Sequence, residues 1–338
     1  MRSATLLALL ATGCGAAIGG PRVCIPRSPA PPAAKLILVT IDGAIAADVF
    51  DASTMPTLAG LVARGVALGG PDAPMVASGP RFVSLPGYRE ILTGRRDDRC
   101  LDNDCAAIDE PTLLDELRTT GLPDAADVAV VASWETIARA ASIAPSSLAL
   151  SAGRHGGRAL AVSEAARADL GAGARASAWP GHGDYRPDAF TAALALDVVA
   201  ARHPSVLWLA LGDSDEYAHR GDRAGYLGAL AAADGVLARL VAAVGLDDAV
   251  FFITADHGRS ASFRDHGDSP ESAAVWLVAA GAGIAPTGFA HTRALHRLAD
   301  VAPTVRALLR VPADASPRAG GAIAELIGAR PAALASAP

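Results

Sequence analysis

Apolar residues along this chain fall into short unbroken runs separated by stretches of helical spacing. Residues 36–41 (Leu-Ile-Leu-Val-Thr-Ile) form a continuous β-branched run, the pattern of a strand covered on both faces within a parallel sheet. Residues 126–132, 206–211, 249–254 and 273–278 repeat that pattern. Residues 54–67 place Leu58, Leu61 and Val62 at helical spacing and stop at the glycines after Leu68. Residues 86–92 open with proline in the first turn and close before Gly94, and residues 223–244 predict a long amphipathic helix. Strands alternating with helices predict a doubly wound α/β fold, a mostly parallel sheet flanked by helices, over residues 36–330. Residues 151–188 are rich in Gly, Arg and Ala with weak periodicity, and are expected to form a small surface loop or lid.

The 338 residues, 51% of them apolar, suffice for one large core. The N-terminus stands apart from it. Met1-Arg2 and the apolar residues 6–11 are too short to cross a bilayer and predict an export signal over residues 1–14. Leu10-Ala11-Thr12-Gly13-Cys14 resembles a bacterial lipoprotein cleavage box, which would leave Cys14 lipidated. Residues 15–35, rich in Gly and Pro, read as a tether, so the expected location is the periplasm or cell surface, on a lipid anchor. Cys100 and Cys105 lie in a polar loop where a small disulfide closes easily; a metal clip is disfavoured by the lack of a nearby histidine, and Cys24 has no evident role. A formal charge of −6 and the absence of any basic run give no nucleic-acid surface, and leave the lipid as the sole expected membrane contact.

Candidate chemistry gathers where the runs end. Asp42 follows the first, Asp213 and Asp215 follow residues 206–211, and Asp256-His257 follows residues 249–254. In doubly wound folds ligands bind at the carboxyl ends of strands, where bare acids are costly without partners or metal. Asp215 and His219, four apart on a helical turn, face the same way, and His266 adds a further imidazole. Carboxylates mixed with imidazoles suit zinc better than magnesium or calcium, with manganese also admissible. Ser84 stands at the mouth of the 86–92 helix, where free amides favour an anion; a plain helix cap is the alternative. No Gly-X-Ser-X-Gly elbow surrounds it, so a metal would have to activate the hydroxyl. Asp213 would orient a ligand or cap a turn, Asp234 would be a supporting partner or a solvated helix residue, and His182 and His155 lie in the uncertain loop. His203, His291 and His296 read as surface residues.

Taken in order, Asp42, the segment from Ser84-Leu85-Pro86 to Leu92-Thr93-Gly94, Asp215/His219, Asp256-His257-Gly258 and His266-Gly267 resemble the alkaline phosphatase superfamily, in particular its compact nucleotide pyrophosphatase/phosphodiesterase-like branch. Residues 300–309 resemble its closing helix, so the likeness spans about residues 36–328. It implies two Zn2+, one held by Asp215, His219 and His266 and the other by Asp42, Asp256, His257 and the Ser84 oxygen. It also implies hydrolysis of a small phosphate mono- or diester through a phospho-Ser84 intermediate. One departure concerns the phosphate: the branch carries asparagine after the motif's proline, where this chain has Gly87, and Asn103 is its only asparagine. Arg89 or Tyr88 would then bind the phosphate oxygen. The alternatives are a sulfatase, disfavoured because Arg89 falls one position late for that family's signature and because the site carries three histidines, and a catalytically inactive lipid-anchored binding protein on the same fold.

Overall fold

The structure is a computed structural model that describes residues 35–119 and 127–327. Cys14, Cys24, the export signal and all of the expected tether except Lys35 lie outside these residues. The strands are β1 (Lys35–Ile41), β2 (Gly65–Leu68), β3 (Met75–Val76), β4 (Val128–Ala132), β5 (Ala149–Ala152), β6 (Val206–Leu211), β7 (Ala249–Thr254), β8 (Ala274–Val275), β9 (Leu277–Gly281), β10 (Gly288–Phe289) and β11 (His296–Arg297). The α-helices are α1 (Ala46–Val49), α2 (Pro56–Ala63), α3 (Ser84–Thr93), α4 (Leu113–Thr119), α5 (Ala138–Ala141), α6 (Glu164–Arg175), α7 (Asp188–Arg202), α8 (Asp213–His219), α9 (Arg223–Val244), α10 (Val301–Leu309) and α11 (Ala324–Ile327).

Eight strands form one sheet in the order β10-β2-β9-β7-β1-β6-β4-β5, while β11-β3-β8 make a small second one. Only β9 runs against its neighbours in the large sheet, pairing antiparallel with both β7 and β2. The continuous apolar runs follow from two-sided burial. Leu36 and Leu38 of β1 face the core under α3, α4 and α10, whereas Ile37, Val39 and Ile41 face the core under α2, α7 and α9. The doubly wound, mostly parallel expectation therefore holds.

Four local expectations need correction. The helix expected over 54–67 ends at Ala63, and residues 65–68 are strand β2. A Cβ on Gly65 would lie 2.1 Å from the Ala279 carbonyl oxygen, so backbone approaches backbone where helical spacing alone suggested a continuing helix. The run 273–278 is two strands that change sheets at Trp276, whose indole N–H is anchored on the Ala44 carbonyl at 2.9 Å. Residues 151–188 carry more regular structure than the loop expected there. They hold the end of β5 and the helix α6, capped by Ser163, and the fully buried Arg186, which bonds Ser151 and the Ala132 carbonyl. Helix α7, unassigned from sequence, follows directly, its alanine-rich composition masking its buried Leu194, Leu196, Val198 and Val199. Finally, Asp234 is neither solvated nor near the acid cluster: its carboxylate accepts the Thr57 and Leu58 amides at 2.9 and 2.8 Å, capping α2 from α9. Replacing Asp234 by Ala leaves two helix-end amides without partners and is expected to cost about 2 kcal/mol of stability, read from urea unfolding. An unchanged midpoint would contradict that role.

Candidate metal centre

The register of the sheet delivers the acids to one place. Strand β1 lies between β6 and β7 with Ile41 opposite Leu211 and Thr40 opposite Thr254, so Asp42, Gly212 and Asp256 leave the sheet side by side. Helix α8 starts there because Asp188, from the head of α7, accepts the Gly212 amide at 2.8 Å and the Asp213 amide at 3.0 Å. One turn of α8 then carries Asp215 and His219 on the same face. Ser214 ties that turn to the Asp42 carbonyl at 2.6 Å. Gly43, at φ +59°, lets the chain turn beside Asp215; a Cβ there would lie 2.5 Å from the Asp215 Oδ1.

Two overlapping groups result. Asp42, Asp256 and His257 offer ligand atoms all within 4.8 Å of one another, and so do Asp215, His257 and His266. Ser84 Oγ stands 3.2 Å from His257 Nε2 and 3.4 Å from Asp42 Oδ1. His219 Nε2 lies 3.0 Å from Asp215 Oδ2 and 3.1 Å from His266 Nε2, and the His257 and His266 rings stack at 3.9 Å. All seven residues expected to hold metal thus converge. Ser84 is buried and is the first residue of α3; Val83 holds the capping position without a side-chain bond, so the serine is not a helix cap. Both buried imidazoles are oriented from behind: His266 Nδ1 meets the Phe82 carbonyl at 2.9 Å and His257 Nδ1 the Gly258 carbonyl at 2.8 Å, leaving each Nε2 facing inward.

Electrostatics set this cluster apart from an ordinary core. Burial pushes the Asp256 carboxyl well above its usual range, and the neighbouring Asp42 and Asp215 charges push it further. Its Oδ1 accepts the Gly43 amide at 3.1 Å, but its Oδ2 is buried with no hydrogen-bond partner. Burial opposes the charged form of His257, yet Asp256 and Asp42 outweigh it and push that imidazole up to about 10. Burial and the His257 charge push His266 down to about 3. Burial would raise Asp215, but Arg259, His219 and His266 hold it well below the usual carboxylate range. An orphaned carboxylate oxygen beside inward-facing imidazole nitrogens is what a divalent cation satisfies, and the mixed nitrogen and oxygen donors suit zinc or manganese.

Other candidates are placed elsewhere. Tyr88 is buried and donates its hydroxyl to Asp42 Oδ2 at 2.8 Å, orienting that carboxylate. Arg89 is buried against Asp97 at 3.2 Å and bonds the Ala106 carbonyl. The Tyr88 hydroxyl and both terminal nitrogens of Arg89 thus bond inward partners, while Arg89 Nε is buried without one. No side chain fits at position 87, where a Cβ would lie 2.2 Å from the Asp256 carbonyl oxygen. The residue missed is Asn103. It sits in the loop closed by the Cys100–Cys105 disulfide, and its Oδ1 accepts the Leu85 amide at 2.9 Å, at the mouth of α3 beside Ser84. That bond assigns the oxygen to the helix and leaves the Nδ2 hydrogens as donors. Its being the only asparagine, inside the cysteine loop, was the available signal. Asp213 turns away from the cluster to accept the Tyr185 hydroxyl at 2.8 Å, and burial with Asp188 alongside pushes it up to about 8. His182, His155 and His291 are exposed, and His203 ends α7. His296, expected at the surface, is buried between Asp300 and Glu325.

No curated protein sequence matches this chain. Residues 189–313 match the family model of the Metalloenzyme superfamily. Solved structures with the same fold include the phosphonate monoester hydrolase SpPMH from Silicibacter pomeroyi (15% identity, 88% of this chain and 77% of that one, TM-score 0.63). They also include the alkaline phosphatase PafA (11% identity, 88% and 99%, TM-score 0.62) and a 2-O GAG sulfatase (12% identity, 88% and 74%, TM-score 0.60). At these identities the structural likeness speaks for the fold, and the family match covers the stretch from α7 to α10 that supplies Asp215, His219, Asp256, His257 and His266. Residues 189–313 are thus those of a Metalloenzyme superfamily protein by sequence, and they lie within an alkaline phosphatase-like sheet that carries two clusters of candidate ligand side chains at its rim.

Proposed function

We propose that this protein is an exported two-zinc hydrolase of phosphate esters, of the compact phosphodiesterase-like kind, working through a covalent phospho-Ser84 intermediate. The observation that carries the reading is Ser84 Oγ, buried at the first turn of α3, within 3.2 Å of His257 and 3.4 Å of Asp42. Asp42, Asp256, His257 and the Ser84 oxygen would hold one Zn2+, and Asp215, His219 and His266 the other. Bound there, the ions would neutralise phosphate charge, lower the serine pKa and activate water. This chain's own residues do the rest. Tyr88 holds Asp42 in place, and the Asn103 Nδ2 hydrogens, left as donors by the bond from the Leu85 amide to Oδ1, would meet a phosphate oxygen. Ser84 Oγ attacks phosphorus as the ester oxygen departs, and water then attacks the phosphoserine to restore the hydroxyl. Phosphate is favoured over sulfate because three imidazoles serve the site and Arg89, which a sulfatase-type signature would need close to the nucleophile, is buried against Asp97. Export on a lipid anchor at Cys14 belongs to the same proposal and rests on the sequence of residues 1–14.

Three measurements test it. Ser84→Ala is expected to abolish hydrolysis of p-nitrophenyl phosphate or bis-p-nitrophenyl phosphate while the purified protein keeps two zinc ions; zinc-free wild-type protein under zinc-replete conditions, or turnover of p-nitrophenyl sulfate alone, would overturn the assignment. Asn103→Ala is expected to lower kcat/KM about 10- to 100-fold with ion content unchanged, the scale for loss of one donor to developing negative charge. Wild-type kinetics in that variant would remove Asn103 from the phosphate site. With its pKa raised to about 10, His257 holds a proton at neutral pH in the ion-free protein, and Nε2 must lose it before acting as a ligand. Zinc affinity should therefore climb between about pH 6 and 8, with a proton released on binding, as read by calorimetry in buffers of differing ionisation enthalpy. Binding without proton release would count against His257 as a ligand.

A further inference from the structure

Arg259 stands out among the described side chains because it is a fully buried cation inside the acid and imidazole cluster that none of the expected roles uses. It follows the Asp256-His257-Gly258 turn directly. Its Nη1 bonds Asp215 Oδ1, its Nε donates to the Phe263 carbonyl at 2.5 Å, and its Nη2 donates to the Arg264 carbonyl at 3.1 Å. Burying a guanidinium costs free energy unless its donors are satisfied, and here all three acceptors belong to the candidate site or its approach. Asp215 is the carboxylate on α8. Phe263 and Arg264 belong to the bend that leads to His266, a bend in which Phe263 adopts φ +68°, unusual for a residue with a side chain. One side chain therefore links the turn after β7, the first turn of α8 and the loop that presents His266.

We infer that Arg259 is a positioning residue for the cation held by Asp215, His219 and His266. By engaging Asp215 Oδ1 it leaves Oδ2, the oxygen 3.0 Å from His219 Nε2, as the atom that faces the ion. By fixing the 263 and 264 carbonyls it holds the chain from which His266 reaches in. The other group, Asp42, Asp256 and His257, makes no bond to the guanidinium, so the effect is confined to one of the two ions. This inference rests on the two-cation reading above.

The test measures Zn2+ binding to the full chain by competition with a chromophoric chelator, in wild type, Arg259→Gln and Arg259→Lys. Circular dichroism and thermal unfolding of the ion-free proteins identify which variants fold. Wild type is expected to bind two ions. Arg259→Gln is expected to bind one of them about 10- to 100-fold more weakly and the other as before, the range found when a partner orienting a metal ligand is removed. Arg259→Lys keeps the charge, but its donors sit on one nitrogen and cannot reach three acceptors spread around a planar fork, so it is expected to weaken the same ion by less, and it decides the matter if the Gln variant does not fold. Two ions bound with wild-type affinities in a folded variant, or an equal loss at both sites, would overturn the inference while leaving the hydrolase reading intact. A wild-type protein that binds no zinc would remove the hydrolase reading and this inference together.

Discussion

Three carboxylates, Asp42, Asp215 and Asp256, are drawn from water to one rim of a sheet, and mutual repulsion in that setting has to be answered by positive charge. Much of the local architecture is that answer. Arg259 faces Asp215, His257 takes up a proton between Asp42 and Asp256, and one oxygen of Asp256 is left with nothing. A sequence under no demand beyond stability would replace such a cluster with apolar side chains, since buried ion pairs seldom outperform good packing. Its presence at the strand ends of this sheet marks the place where a cation would be held.

The same demand dictates where side chains are missing. Bringing the two ligand-bearing turns and α3 so near each other requires backbone at van der Waals range, and Gly43 and Gly87 stand at those approaches. Gly87 in particular reads from the sequence as the loss of a phosphate-binding group, whereas in three dimensions it is the condition for α3 to lie on Asp256. The side-chain amide at the mouth of α3 comes from a different segment, through Asn103.

What was legible in the sequence were features written in local pattern. The doubly buried strands announce themselves by unbroken β-branched runs, found within a residue or two of their expected bounds except where 273–278 divides, and the candidate ligands stand just past those runs. Less legible was anything decided by distant contact. The end of α2 at Ala63 depends on β9, more than two hundred residues on, and Trp276 divides one apolar run between two sheets. Helix α7 is hidden by its alanines, which signal little about which face is covered. Arg89 and Tyr88 have the right chemistry for phosphate and the right distance along the chain, yet both are committed to inward partners, which no spacing rule reveals. Arg259 was overlooked because a charged residue next to a tight turn normally reads as surface.

Asn103 has a feature the candidate cation ligands lack: it hangs from a hexapeptide ring stapled to itself, outside both sheets. The ligands are locked to strand ends and cannot shift without disturbing the core. The ring lies apart from the strands yet is anchored at two points, by Cys100 in the core and by the bond from Leu85 to Asn103. A change within that ring would therefore alter what borders Ser84 while leaving the strand ends, and the acids and imidazoles they carry, in register.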